Sequence, residues 1–255
     1  MVDMVDDLEF WEGIKDYDQE IVSLFVNDEN PVAKKLDSIT EKSCMVLGDL
    51  GCGPGNLFPW LEGFAKVYCV DRSKALLQIA KTRVPKDNFE IVEADISNVA
   101  LSQKLNIALC CMSLFPKTFE EFNQMLRNIR KNMDVEGELI MVVPSMEAKL
   151  FSFTVERSYA TSKLGYSEVE AGIAAQRRSQ DIFLHPFGFI RTPRGLVQKH
   201  WLADELQMQL FGAGFSLTKI GRFYLNWENQ IRAPHLLGYP RLWYWYAEAK
   251  PSVGE

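Results

Sequence analysis

Along the first part of the chain, short apolar runs alternate with stretches whose apolar residues recur every three or four positions, which predicts strands alternating with helices. The runs cover residues 45–50, 66–70, 89–94, 107–112 and 138–143, and the last is continuously apolar, as in a strand covered on both faces. A helix is predicted over 56–64, where Pro59 falls in the first turn and its missing amide costs little. A second covers 74–83, capped by Ser73, with Leu76, Leu77 and Ile79 toward the sheet. A third opens with the capping box Thr118-Phe119-Glu120-Glu121 and carries Phe122, Leu126, Ile129 and Met133 on one stripe. Residues 1–40 read as a helical lead-in. After Pro144 the alternation breaks, and residues 145–200 mix short helical segments, aromatics and both signs of charge. A helix over 201–213, ended by Gly212 and Gly214, then precedes strands over 215–220 and 242–247. The pattern predicts an α/β protein with a doubly wound, mostly parallel sheet and helices on both faces, a single domain over 1–255. Residues 145–200 read as an insertion covering the carboxyl edge of the sheet as a substrate lid, because strand five ends there.

Three of the runs end in aspartate, at Asp49, Asp71 and Asp95, on the edge where open α/β sheets bind ligands. After Asp49 come Gly51, Gly53 and Gly55, a turn with no Cβ to hold a ligand away. It is not the dinucleotide fingerprint, whose third glycine would fall on Asn56, and Pro54 lacks an amide. No Gly-Lys-Ser/Thr follows, so it is not a P-loop either. A glycine turn behind a carboxylate is a poor cradle for phosphate and a reasonable one for a cation bearing an amine, such as S-adenosylmethionine. Asp71 stands about twenty residues beyond Gly51, where nucleotide-binding folds set a carboxylate against ribose hydroxyls.

The segment Asp49-Leu50-Gly51-Cys52-Gly53-Pro54-Gly55 resembles the motif E/D-x-G-x-G-x-G of class I S-adenosylmethionine-dependent methyltransferases. Phe10-Trp11 and Tyr17-Asp18 resemble the entry helix of small-molecule methyltransferases, with Ile14 in place of a small residue. The resemblance runs over residues 9–144 and 199–249. It implies a Rossmann-like, seven-stranded sheet of order 3-2-1-4-5-7-6 with strand seven antiparallel, and S-adenosyl-L-methionine as cofactor. It also implies that Asp49, Gly51 and Gly53 surround the methionine part of the cofactor, that Asp95 meets the adenine amino group beside the Ile96 amide, and that Tyr17 closes over the methionine end. Cys52, Asn56, Arg72 and Cys111 join Asp71 in the expected cofactor-binding set, while Trp11 is expected as a core anchor.

Composition narrows the function. A net charge of −6 with no basic cluster disfavours a nucleic-acid partner. After strand four the chain reads Cys110-Cys111-Met112-Ser113, unlike the D/N-P-P-Y/F tetrapeptide of DNA and protein amide N-methyltransferases. Residues 107–115 hold no carboxylate for a divalent cation, and His185, His200 and His235 stand apart from any ligand spacing, so no metal is expected. The cysteines at 44, 52, 69, 110 and 111 form no C-x-x-C pair and read as small core residues in a reducing compartment. No apolar run reaches about eighteen residues and the amino end is acidic, so a cytoplasmic protein without a membrane partner is expected.

The expected reaction is in-line attack by a small-molecule nucleophile on the sulfonium methyl, with positioning supplying up to about 7–11 kcal/mol of the barrier reduction. For a hydroxyl or thiol nucleophile, His185 or His200 is the expected base. Arg191 and Arg194 read as solvated lid residues, and a monomer or homodimer is expected. Two other classes fit the same residues: a methyltransferase whose lid docks a protein or tRNA, and a protein that binds the adenosyl cofactor without catalysis. The missing glycine at 56 counts against a dehydrogenase.

Overall fold

The computed structural model of the chain describes residues 7–14, 29–185, 187–192 and 195–252, the side chains of 178–185 excepted. Strands β1 (Val46–Leu50), β2 (Lys66–Asp71), β3 (Phe89–Glu93), β4 (Leu105–Cys111) and β5 (Met133–Pro144) run parallel to one another. Beyond the small strands β6 (Phe183–His185), β7 (Phe189–Arg191) and β8 (Val197–Lys199) come β9 (Phe215–Tyr224) and β10 (Trp243–Pro251). The main sheet has the order β3-β2-β1-β4-β5-β10-β9, and β10 is antiparallel to both its neighbours, as the resemblance implies.

Helices cover both faces because the parallel strands are apolar on both. On one face Leu50, Val70 and Met141 pack against Phe122, Leu126 and Ile129 of α4 (Phe119–Asn132) and Leu206 and Leu210 of α7 (Ala203–Gly212). On the other, Leu47, Val67 and Ile140 pack against Val32 and Leu36 of α2 (Pro31–Asp37) and Leu77 and Ala80 of α3 (Lys74–Arg83). The helix starts are chemically defined: Ser73 Oγ accepts the Leu76 amide at 3.2 Å, and Thr118 Oγ accepts the Glu121 amide at 3.1 Å. The Glu121 carboxylate reaches one residue further back than in a capping box, to the Lys117 amide at 2.6 Å. Met133, expected in this helix, is instead the first residue of β5.

Two expectations need correction. The crossover after β1 is not a helix over 56–64 but the single 3-10 turn Phe58–Trp60, because left-handed Gly55 (φ +85°) and Gly63 (φ +95°) end any helix on either side of it. The helices after β5 are long, not short: α5 (Met146–Lys163) and α6 (Glu168–Ile182) are followed by the small antiparallel sheet β6-β7-β8. Glu168, Glu170, Arg177 and Arg178 interrupt any broad apolar stripe on α6, which hides that helix from a periodicity argument.

Lys199 and Trp201 fasten this segment to the core. Lys199 is fully buried, and its Nζ donates to Glu205 at 2.6 Å and to the His200 carbonyl at 2.7 Å while lying 4.3 Å from the centre of the Trp201 ring. Trp201 in turn packs on Phe122 with the rings tilted and their centres 4.2 Å apart, and its amide donates to the Pro144 carbonyl at 2.9 Å. Burial lowers the Lys199 pKa, and Glu205 opposes that shift. Replacing Lys199 by alanine strands Glu205 and empties the space between the aromatic rings. Thermal unfolding should report a loss of roughly 3 kcal/mol, at the low end for a broken buried pair because the Glu205 side chain is 18% exposed.

Candidate functional site

The ends of β1, β2, β3 and β4 meet in one cleft, contributed by Gly51 and Gly53, Asp71 and Arg72, Ala94 to Ile96, and Met112 with Ser113. The glycine turn is tied down rather than left open. The amides of Gly51 and Cys52 both donate to the Val70 carbonyl, at 2.7 and 3.0 Å, and that of Gly53 donates to Asp71 Oδ2 at 2.8 Å. With these amides engaged, the turn offers no nest for a phosphate. The three glycines also differ in purpose. A Cβ on Gly51 would meet Ser113 Cβ at 2.1 Å and one on Gly55 would meet the Phe58 ring at 2.5 Å, so these two glycines serve packing within the protein. Gly53, at φ +53°, has no atom within 4 Å of where its Cβ would stand, so it alone leaves space for a ligand.

Asp71 is less free than its sequence context implies. Ser73 caps its helix with its hydroxyl, yet its amide also donates to Asp71 Oδ1 at 2.9 Å. Burial raises the Asp71 pKa, and the Ser73 and Gly53 amides hold that rise back. Asp49 is buried beneath the turn with its Oδ2 unpartnered, and burial, then the charge of Asp71, push its pKa up to about 7. Burial also raises the thiols of Cys52, Cys69, Cys110 and Cys111, with Asp49 adding to the rise, so none of them is a reactive thiolate.

Helix α1 (Asp7–Glu12) lies across the mouth of the cleft. Arg72 pairs closely with Asp7 and approaches Asp95 to 3.5 Å, and a Glu12 carboxylate oxygen lies 3.3 Å from the Ala75 amide at the start of α3. Trp11 stacks on Phe115 with ring centres 6.2 Å apart and lines the cleft, so it is a site residue and not only a core anchor. With α1 in this position the open space is about 80 Å³. Tyr17 lies outside the described residues.

Of the remaining expected residues, Arg72, Asp95 and Ile96 line the cleft, while Cys52, Asn56 and Cys111 do not. Cys52 and Cys111 are turned into the core, and Asn56 Oδ1 is drawn away by Arg83 at 2.8 Å. Sequence reasoning missed Met112, Ser113 and Phe115. The position after β4 was the available signal, and Met112 holds a left-handed φ of +55°, a conformation rare outside glycine that clusters at functional sites.

A second cavity of about 520 Å³ continues along the same edge, over the ends of β5 and β9 and the start of β10. Its walls include Ser145, Lys149, His200, Leu225, Trp243 and Tyr244. The register places the two spaces side by side: Cys111 of β4 pairs with Val142 of β5, and Pro144 pairs with Tyr244 of β10. His200 Nδ1 lies 3.4 Å from the Ser145 carbonyl, and burial lowers the pKa of its ring to about 3. It therefore stays neutral and makes a poor base, contrary to expectation. His185 pairs with Phe189 through its backbone, but its side chain lies outside the description, as does Arg194. Among the described residues no group of His, Cys, Asp and Glu is arranged to hold a metal ion, and no helix is long and apolar enough to cross a membrane.

Residues 48–141 match the family model for the methyltransferase domain. Curated relatives include trans-aconitate 2-methyltransferase of Yersinia pestis (strain Pestoides F), 33% identical over 105 residues; the match spans 40% of this chain and 40% of the relative's length. An S-adenosylmethionine-dependent methyltransferase from Mesorhizobium loti superposes with a TM-score of 0.58 at 15% identity, over 89% of this chain and 100% of that one. Magnesium protoporphyrin IX methyltransferase from Synechocystis PCC 6803, solved with bound S-adenosylmethionine, does so with a TM-score of 0.57 at 13% identity, over 99% and 100%. The fold is thus similar to that of S-adenosylmethionine-dependent methyltransferases, and the matched segment, which carries the first, second, third and fourth parallel strands, is similar to a methyltransferase domain.

Asp49 provides a test of the site's electrostatics. Its carboxyl titrates near 7 in the fold, against 3.8 as the ordinary value, so the folded state favours the protonated form and loses stability as the pH rises between those values. Asp49→Asn should therefore raise the melting temperature at about pH 8, with a gain that shrinks toward zero as the pH falls to about 4. Melting curves across that range read the effect.

Proposed function

We propose that this chain transfers a methyl group from S-adenosyl-L-methionine to a small-molecule acceptor. The observation that carries the reading is the pairing of Gly53 with Asp71. The one glycine of the turn that faces open space is held in register with a buried carboxylate at the adjacent strand end. The residues suit the cofactor's chemistry. Asp71 retains lone pairs for the ribose hydroxyls, and Asp95 with the Ile96 amide suits the adenine edge. Asp49 is a buried carboxylate with an unsatisfied oxygen, and a nearby cation would return it to its charged form. Arg72 is already occupied by Asp7 and Asp95, so α1 withdraws to admit a nucleoside and then closes over it.

When bound, S-adenosyl-L-methionine supplies an electrophilic methyl group on its sulfonium. The protein's part is to hold an acceptor in line and to keep water out. The cavity over β5, β9 and β10 lies within the ordinary size range of small-molecule sites. The segment 145–200 supplies one side of that cavity through Ser145, Lys149 and His200, and acts as its lid within a single domain. His200 serves as a wall and hydrogen-bonding group, so positioning carries the rate. Free cysteines, four of them buried, support the cytoplasm as location.

The Yersinia relatives carry trans-aconitate in their name, a molecule with three carboxylates. Among the described residues Lys149 is the only lysine or arginine in the cavity wall, which also holds Glu156 and is otherwise largely aromatic and aliphatic, and this favours an acceptor with fewer charges.

Calorimetry with S-adenosylhomocysteine should show tight binding to the wild type and none to Gly53→Arg. Asp71→Ala should weaken binding by about 1.5–3 kcal/mol, the worth of a charge-assisted hydrogen bond. Binding within about twofold of wild type in both variants would place the cofactor elsewhere. Labelled methyl donor offered with small-molecule, protein and tRNA fractions should label the first fraction alone.

A further inference from the structure

We infer that the acceptor is an elongated, predominantly apolar molecule whose reacting end lies in the cavity at the sheet edge and whose tail enters a second compartment between α5 and α6. The inference rests on the proposed methyl transfer and specifies its substrate class. The compartment holds about 270 Å³ and is walled on the α6 side by Ala171, Ala174 and Ala175, with Ala160 and Tyr159 facing from α5. Glu156, His235 and Leu236 line both spaces, so the 520 Å³ cavity and this compartment meet at a common wall. Alanines would let two helices approach closely, yet here they border a groove whose outer rim, with Leu164 and Tyr166, is open to solvent. A compact metabolite fills the first cavity and has no use for the second, whereas a chain or fused-ring tail fills both.

The first cavity also defines the other end of the molecule. Ser145, Lys149 and His200 line its sheet-edge end with polar groups. A polar end to an otherwise aromatic and aliphatic cavity suits a ligand that carries an accepting oxygen or nitrogen at its head. The acceptor class is thus a polar head on an apolar body, as in an alkylphenol or a comparable long-chain hydroxylated ring.

The 4-n-alkylphenols from ethyl to octyl probe both ends of this site. Their affinities would be measured by calorimetry on the full chain saturated with S-adenosylhomocysteine. Each added methylene should tighten binding by about fourfold, the equivalent of ~0.8 kcal/mol per buried CH₂. Ala160→Trp and Ala175→Trp fill the distal compartment and should collapse the ratio of octyl to ethyl affinity; melting curves confirm that each variant is folded. Lys149→Met should weaken every member of the series by a similar factor, up to about tenfold. Affinity that does not change with chain length, no binding of any alkylphenol, or tryptophan variants that keep the wild-type ratio would each overturn the inference. Failure of the methyl-transfer reading shows separately, as loss of S-adenosylhomocysteine binding by the wild-type chain.

Discussion

One carboxylate holds the cleft together. Asp71 takes the Gly53 amide with one oxygen and the Ser73 amide with the other, so the end of β2 fixes both the glycine turn after β1 and the first turn of α3. The Val70 carbonyl, one residue earlier, receives the amides of Gly51 and Cys52. Five neighbouring backbone groups are thereby satisfied without any ligand, and the turn is rigid before a cofactor arrives. Preorganisation of this kind lowers the ordering cost of binding. It also explains why the site rejects phosphate chemistry: the amides a phosphate would require already have partners.

Rigidity of the backbone is set against electrostatic tension in the side chains. Asp49 and Asp71 are both buried, and neither has a cation in direct contact, so each is held above its ordinary pKa by desolvation. The nearest guanidinium, Arg72, is turned to Asp7 and Asp95. A cleft with spare buried negative charge, closed by a helix through an ion pair at its rim, is complementary to a cationic nucleoside and poorly suited to an anionic one. The proposed opening would break the Arg72 pair with Asp7, the contact of Trp11 with Phe115 and that of Glu12 with the Ala75 amide.

The parallel sheet and its ligand-binding edge were legible in the sequence because both depend on local patterns: apolar runs, each closed by an aspartate, and caps such as Ser73 and Thr118. Asp71, Asp95 and Ile96 could be found by counting from those runs. The failures share a different cause. Asn56 and Cys111 sit at the right places in the chain, but Arg83 and the core respectively draw them away, and both pulls are tertiary. Gly51 and Gly53 look alike in sequence; only the arrival of Ser113 from β4 shows that one is needed for packing and the other for space. His200 reads as a base until burial is known. Helices α5 and α6 went unrecognised because they pack mostly on each other and on the loop after β9, so they lack the broad apolar stripe that core helices carry.

The same independence from the core bears on the acceptor side of the site. Helix α5 starts at Ser145, directly on the last residue of β5, and Trp201 closes the segment by bonding back to Pro144 and Met146. Both ends of this segment are therefore pinned within one strand end, with Lys199 and its aromatic neighbours locking the return. The intervening helices form a loop closed at its base whose interior can change without disturbing the sheet. On the proposed reading, cofactor chemistry resides in the part of the chain whose geometry is dictated by the sheet, and acceptor choice in the part that is only anchored to it. Ala160, Ala171, Ala174 and Ala175 and the compartment they border are free to vary there at little expense to the fold, because only Ala148 and Phe151, at the start of α5, join the cluster that packs against the strands.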